Sequence, residues 1–187
     1  MAILRTIMSI IFLAGIVFAP LNAQADQTDT RLNGLFETLQ TLDNTDQAQA
    51  VANNIWNIWI ETADPTLNEN MQIGIFAMRV HNFTKALELF DVIVDSAPDY
   101  AEGWNKRATV YFMIGNYQNS MSDVQKVLHL EPRHFGALSG MGLIFMETGN
   151  DHRALEAFEE ALKVNPHMGN VQENIKFLKE KIANSAI

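Results

Sequence analysis

Five histidines and one cluster of glutamates are the residues of this chain best suited to chemistry. Imidazole and carboxylate groups together can hold a metal ion or exchange protons with a substrate. The spacing favours surface and turn positions for the histidines, because none shares a predicted helix face with a second histidine and a carboxylate. The histidines are His81, His129, His134, His152 and His167.

The glutamate cluster consists of Glu156, Glu159 and Glu160, and its spacing is typical of a solvated helix face with Lys163 nearby. The sequence also lacks the G-x-S-x-G, P-loop and H-E-x-x-H motifs. We therefore expect a protein that is not an enzyme and that needs no cofactor and no metal. A metal-dependent or enzymatic protein is the least favoured alternative.

Two further groups of residues could bind a ligand. Trp56 and Trp59 could stack on a carbohydrate, although their positions in the pattern described below favour a core. A basic spot could hold a carboxylate terminus, since arginine binds carboxylates through two parallel hydrogen bonds. The alternative for the spot, slightly favoured, is internal pairing with Asp99, Glu102 and Glu131. The spot would consist of Arg79, Lys106, Arg107 and Arg133.

A period of 34 residues organises most of the chain. Residues of the same type recur at this distance at three kinds of position: prolines, asparagines and glycines. The period predicts a repeat architecture, in which each unit stacks on its neighbours to bury an apolar face. The recurring residues are Pro98, Pro132 and Pro166, then Asn82, Asn116 and Asn150, then Gly115 and Gly149.

Each period is predicted to form two helices. In the second period Trp104, Ala108 and Tyr111 have helical spacing, and Gly115-Asn116 then interrupts the helix. A second amphipathic stretch follows and ends at Pro132. Trp104 falls at a position that predicts a core residue.

This arrangement resembles the tetratricopeptide-repeat (TPR) family, whose units run W-x2-L-G-x2-Y, then A-x3-F-x2-A, then proline. The third unit matches with Gly142, Phe145, Ala154, Phe158 and Pro166, whereas Asn70 and Arg107 depart from the pattern. The resemblance implies an all-α solenoid of helical hairpins, possessing a capping helix. We assign residues 67–100, 101–134 and 135–168 to three repeats, 26–66 to a degenerate pair, and 169–187 to the cap and tail.

Small residues at three positions are expected to let the paired helices cross closely. In this interpretation Gly74, Ala108 and Gly142 face Ala86, Ser120 and Ala154 of the partner helices.

The family resemblance also implies a binding surface. In proteins similar to this one, the first helices of the repeats line a concave groove that holds a peptide or another protein. Methionine is frequent among the corresponding residues, which suits an adaptable surface. The groove residues carried over are Met71, Ile75, Met78, Arg79, Glu102, Asn105, Thr109, Phe112, Met113, Ser139, Leu143 and Met146.

The N-terminus has the pattern of an export signal. Arg5 precedes an apolar run over residues 7–18, and Ala23-Gln24-Ala25 forms an A-x-A cleavage site. The run is short for a membrane span. We therefore expect cleavage after Ala25 and a periplasmic protein of the exported bacterial type. An inner-membrane-tethered subunit with an uncleaved anchor, and hence a membrane contact, is the alternative.

The amino-acid composition restricts the classes of molecule that the protein is expected to bind. The 187 residues contain no cysteine and carry a formal net charge of −9. An acidic protein without cysteine can form neither disulfides nor thiolate metal sites, and it is disfavoured as a nucleic-acid binder. We expect a protein or peptide partner, and an envelope assembly or scaffold role follows only from family analogy.

Overall fold

The computed structural model describes residues 26–185, which form nine α-helices and no strand, so the signal-peptide prediction lies outside the described residues. The helices confirm the predicted all-α solenoid with a C-terminal helix. They are α1 (Arg31–Thr41), α2 (Thr45–Ile60), α3 (Pro65–Arg79), α4 (Phe83–Ser96), α5 (Ala101–Met113), α6 (Tyr117–Leu130), α7 (Phe135–Glu147), α8 (Asp151–Val164) and α9 (Gly169–Ser185).

Three helix pairs, α3–α4, α5–α6 and α7–α8, form the repeat array. A side chain at Gly74 would begin 2.6 Å from the ring of Phe90, and one at Gly142 would begin 2.5 Å from the ring of Phe158. The atoms nearest to each added Cβ belong to a phenylalanine ring, a contact that was not predicted from the sequence. Glycine is needed at the crossing because the opposing helix contributes a phenylalanine.

In the middle repeat the same helix crossing is packed with side chains of different sizes. It has Ala108 in place of glycine and Val124 in place of phenylalanine, and both side chains are buried in one core cluster. Ser120 adds a hydrogen bond from its Oγ to the Ala108 carbonyl oxygen at 2.8 Å. A larger residue on one helix is thus matched by a smaller residue on the other.

The turn inside each repeat uses a left-handed residue. Gly115 and Gly149 have φ of +76° and +74°, and His81 occupies the corresponding position with φ of +61°. Asn82 and Asn116 then cap α4 and α6, their side chains accepting hydrogen bonds from backbone N–H groups. These asparagines and glycines are the residues that the 34-residue period had singled out.

The C-terminal helix α9 closes the array. Val171 and Leu178 are fully buried against the third repeat. At the edge of this contact Lys179 and Lys181 form ion pairs with Glu159 and Asp151 of α8 at 2.9 and 2.8 Å. An apolar face buried against the last repeat and bordered by charged residues is typical of a terminal capping helix.

The N-terminal hairpin α1–α2 packs mainly against a distant part of the chain. Its apolar cluster includes Phe36, Trp59 and Phe135, the last from the first turn of α7. Gln40 Nε2 donates to the carbonyl oxygen of Val164 at 2.6 Å. The hairpin thereby bridges to the third repeat, whereas at the first repeat Ile60 packs against the core.

Candidate protein-binding site

A cavity of about 190 Å³ opens between α5 and α7, the first helices of the second and third repeats. Five of the predicted groove residues line it, which brings them together at the middle of the array. The lining residues are Asn105, Ala108, Thr109, Phe112, Ser120, Val124, Gly136, Ala137, Ser139, Gly140, Leu143 and Met168.

The cavity lies where the middle repeat has the smaller side chain. Val124 occupies the position that Phe90 and Phe158 hold in the neighbouring repeats, 34 residues away on either side. In those repeats the phenylalanine ring reaches the opposing glycine. Because valine is shorter than phenylalanine, space remains at the base of the groove.

Three polar side chains of the cavity wall have partners within the protein. Thr109 Oγ1 donates to the Asn105 carbonyl oxygen at 2.8 Å, and Ser120 Oγ donates to that of Ala108. Asn105 Nδ2 donates to Glu102 Oε2 at 2.9 Å. Since no charged side chain lines the cavity, the wall suits an apolar group.

The other predicted groove residues differ in accessibility. Ile75, Met78 and Met146 are half-buried, whereas Arg79 and Met113 are exposed. Met71 is fully buried in the core of the first repeat, and Glu102 is buried as well. The assignment of these last two residues to an accessible surface is corrected, because packing removes both from solvent.

Sequence reasoning missed Phe177 on α9. This residue lies 34 positions after Leu143 and 68 after Thr109, so it continues the row of groove positions onto the capping helix. Its side chain is 54% exposed. Continuing the 34-residue count beyond the third repeat could have identified it.

A buried ionic cluster underlies the entrance to the groove. Glu102 Oε1 lies 2.6 Å from Lys106 Nζ, and Glu102 Oε2 lies 3.0 Å from His134 Nε2. Burial by itself would raise the pKa of Glu102, but Lys106 and His134 outweigh that effect and lower this pKa to about 2. Glu102 therefore remains ionised inside the protein.

The hairpin α1–α2 covers this cluster. Trp56 packs on Gly136 at the start of α7, and the Lys106 ammonium lies 5.1 Å from the Trp56 ring centroid. The imidazole of His134 stacks on Trp59. The hairpin thus covers the first turns of α5 and α7. The middle turns of the two helices stay uncovered and line the cavity.

Three members of the predicted basic spot form internal ion pairs, which favours the second alternative from the sequence. Lys106 pairs with Glu102, and Arg133 pairs with Glu131 at 3.0 Å. Arg107 is held at 2.8 Å by both Asp91 and Asp123. This ion pairing explains why arginine replaces the apolar residue that the repeat pattern has at position 107.

The remaining candidate residues do not come together as a metal site in the described part of the chain. Among residues 26–185 no group of three or more metal-ligating side chains comes together. His134 lies in the turn before α7, one of the two predicted kinds of position, but it is fully buried there, where it caps α7 and contacts Glu102. Trp59 is buried as predicted, whereas Trp104 lies half-buried at a core edge, its Nε1 donating to the Pro98 carbonyl oxygen.

No helix within the described part of the chain has the length and apolar character needed to cross a bilayer.

Comparison with other sequences identifies relatives. A profile of the tetratricopeptide repeat matches residues 135–168. A TPR repeat-containing protein of Rhizobium etli is 42% identical over 153 residues, which are 82% of this chain and 75% of that protein. The DnaJ homolog subfamily C member 3 of Homo sapiens is 25% identical over 107 residues, 57% of this chain but 21% of that protein.

Solved structures share the fold. The Sgt2 TPR domain from Aspergillus fumigatus matches with a TM-score of 0.62 and 21% identity, over 66% of this chain and 83% of that one. The first TPR of Spaghetti (RPAP3) bound to the HSP90 peptide SRMEEVD matches with a TM-score of 0.61 and 16% identity, over 63% of this chain and 94% of that one.

Proposed function

Because this chain belongs to the family of tetratricopeptide-repeat proteins, we propose that it binds a segment of another polypeptide along the groove between α5 and α7. The observation that carries the proposal is the cavity lined by Thr109, Phe112 and Leu143 at the centre of the array. Concave, mostly apolar sites with a few fixed polar groups are the usual binding sites of proteins. In this proposal the protein acts as an interaction module and catalyses no reaction.

The ligand in this proposal inserts an apolar side chain into the cavity. The related first TPR of RPAP3 holds the peptide SRMEEVD, which is acidic. Here Lys106 and Arg107, the cations nearest the middle of α5, are paired with carboxylates of the chain itself. An acidic C-terminus would have to break those pairs, whereas an apolar residue would only displace solvent from the cavity.

The test fills the cavity from within. The double variant Ala108→Gly/Val124→Phe reproduces the glycine–phenylalanine crossing of the neighbouring repeats, so it closes the cavity and leaves the exposed surface unchanged. A displayed peptide library is selected on the wild-type protein, and affinities for the selected peptides are then measured. We expect selection of apolar anchors, and at least a tenfold weaker affinity, about 1.4 kcal/mol, for the double variant.

Phe112→Ala is a second test variant, because Phe112 is half-buried at the cavity edge. The affinity of this variant for the selected peptides should be at least about thirtyfold weaker than that of the wild type, as for a central interface residue. Val92→Ala, at an exposed site on α4, is the control. Selection of acidic C-termini, or undiminished affinity in both groove variants, would contradict the proposed site.

We further propose that the protein is exported and works in the envelope as an assembly or scaffold factor. The support is the sequence pattern before Ala25. Mass spectrometry of the purified native protein should give an N-terminus at Asp26, in the soluble periplasmic fraction. Intact Met1 in the membrane fraction would favour the tethered alternative.

A further inference from the structure

The first helix of the array, α3, has an apolar strip on its surface. Ile73, Phe76 and Val80 lie on one side of the helix and are 42%, 60% and 53% exposed. Their separations of three and four residues place them in one continuous row. A phenylalanine with more than half of its surface in solvent is costly unless a partner covers it.

The repeat register identifies what this strip is built to contact. Phe76 corresponds to Val110, Ile144 and Leu178 in the following first helices, which are 0%, 3% and 0% exposed. Val110 packs in one core cluster with residues of α4, the second helix of the preceding repeat. The face of α3 around Phe76 is therefore the one that elsewhere receives a preceding helix, and among residues 26–185 no helix covers it.

A charged residue on this face argues against one more repeat as the missing cover. Glu69 corresponds to Gly103, Ala137 and Val171, all of which are buried. At Gly103 an added side chain would begin only 2.6 Å from Ile93 of α4, so the usual packing leaves no room for a carboxylate. A partner that covers Phe76 must therefore also present a cation to Glu69.

Helix α3 itself carries both features. Arg79 lies ten residues after Glu69, about 15 Å along the helix, and Ile73 and Phe76 of the apolar strip lie between them. Neither Glu69 nor Arg79 forms an ion pair with any other residue of the described chain. A helix with an acid at one end of an apolar strip and a base at the other is complementary to an antiparallel copy of itself.

We propose that two copies of this chain associate through their α3 helices, packed antiparallel about a twofold axis level with Gly74, midway between Glu69 and Arg79. The apolar strips cover each other, and Glu69 of each copy lies beside Arg79 of the other. Such a contact is isologous and closes at the dimer. None of these residues lines the cavity between α5 and α7, although Arg79 was among the carried-over groove residues, so the cavity and the dimer contact can be occupied together.

The first experiment measures the mass of the full chain by sedimentation equilibrium up to about 100 μM, a range that detects weak dimers. We expect concentration-dependent dimers, and a dissociation constant at least about a hundredfold weaker for Phe76→Asp. Val92→Asp is the matched control, because Val92 is 48% exposed on α4 but lies outside the strip. Monomers throughout the range, or equal effects of both variants, would overturn the proposal.

The second experiment reverses the charges and stays informative if Phe76→Asp disturbs the fold. Glu69→Arg and Arg79→Glu should each weaken the dimer severalfold, because each places like charges together. The double variant Glu69→Arg/Arg79→Glu should restore the wild-type dissociation constant. Failure of the double variant to restore dimerisation would refute the antiparallel pairing.

Discussion

The imidazole of His134 lies parallel to the indole of Trp59, with ring centroids 4.0 Å apart and planes inclined by 10°. His134 Nδ1 accepts a hydrogen bond from the backbone N–H of Ala137, so the ring proton is on Nε2 and points at Glu102. One side chain thus caps α7, holds a carboxylate of α5 and supports the N-terminal hairpin.

The Glu102 cluster predicts a specific dependence of stability on acidity. Because the pKa of Glu102 is lowered from 4.5 to about 2 in the folded protein, its contribution is complete above pH 4.5 and is lost as the pH falls towards 2. Glu102→Gln should cost about 2 kcal/mol in the free energy of unfolding at pH 7. Urea unfolding of both proteins should show this gap closing between about pH 4.5 and 2.

The exposed Glu37→Gln is the control for this measurement. If the Glu102→Gln gap stays constant down to pH 2, the buried carboxylate is not held ionised by its neighbours.

Two glycines of α7 should respond to alanine with opposite signs. Gly142→Ala introduces a Cβ 2.5 Å from the Phe158 ring and should destabilise the protein by about 1–3 kcal/mol. Gly140→Ala meets no atom within 4 Å and should stabilise by about 0.5–1 kcal/mol, since alanine favours helix. Thermal melts of the pair measure both effects, and equal shifts would contradict the observed crossing.

Arg107 is predicted to stabilise the fold by neutralising a buried carboxylate. Its Nε lies 2.8 Å from Oδ2 of Asp123, whose carboxylate is buried. Arg107→Leu restores the apolar residue of the family pattern but leaves Asp123 unpaired, which should cost about 3 kcal/mol. Adding Asp123→Ala, as in the next repeat's Ala157, should recover most of that loss in denaturant unfolding. Without such recovery, Arg107 would owe its effect to packing and not to charge.

His81 should be a site of stored backbone strain. Its φ of +61° is the left-handed conformation that Gly115 and Gly149 adopt in the other repeats. His81→Gly should therefore raise the free energy of unfolding by about 1 kcal/mol, and Gly115→Ala should lower it by a similar amount. Calorimetric melting of the two variants tests both signs, and a destabilised His81→Gly would show that the histidine side chain contributes more than its backbone costs.

The 34-residue period predicted the repeats because the features that define each one are local. Asn82 and Asn116 cap helices, Gly115 and Gly149 turn the chain, and these functions depend on neighbours within a few residues. The groove positions, by contrast, were carried over from the resemblance to the TPR family. What the register could not predict was the cavity, because its existence depends on the size of one residue, Val124, relative to its equivalents.

The contacts of the N-terminal hairpin α1–α2 could not be predicted from the sequence either. Trp59 meets His134 and Phe135 across more than 70 residues, and no periodic relation links α2 with α7. Burial of Glu102 and His134 follows from that long-range contact, which explains why Glu102 was assigned to the groove surface and why burial of the turn histidine was not predicted. Pairing between distant elements is decided by the complementarity of whole surfaces.

The bridge between α1 and the end of α8 has a consequence for how the molecule folds. Repeat arrays normally unfold by fraying from their ends, because each unit touches only its neighbours. Here Gln40 is hydrogen-bonded to Val164 across 124 residues, so the terminal repeats cannot separate without releasing the hairpin. This long-range closure raises the contact order and makes unfolding more nearly all-or-none. It also makes folding slower than for an open array, since the hairpin can dock only after the third repeat has formed.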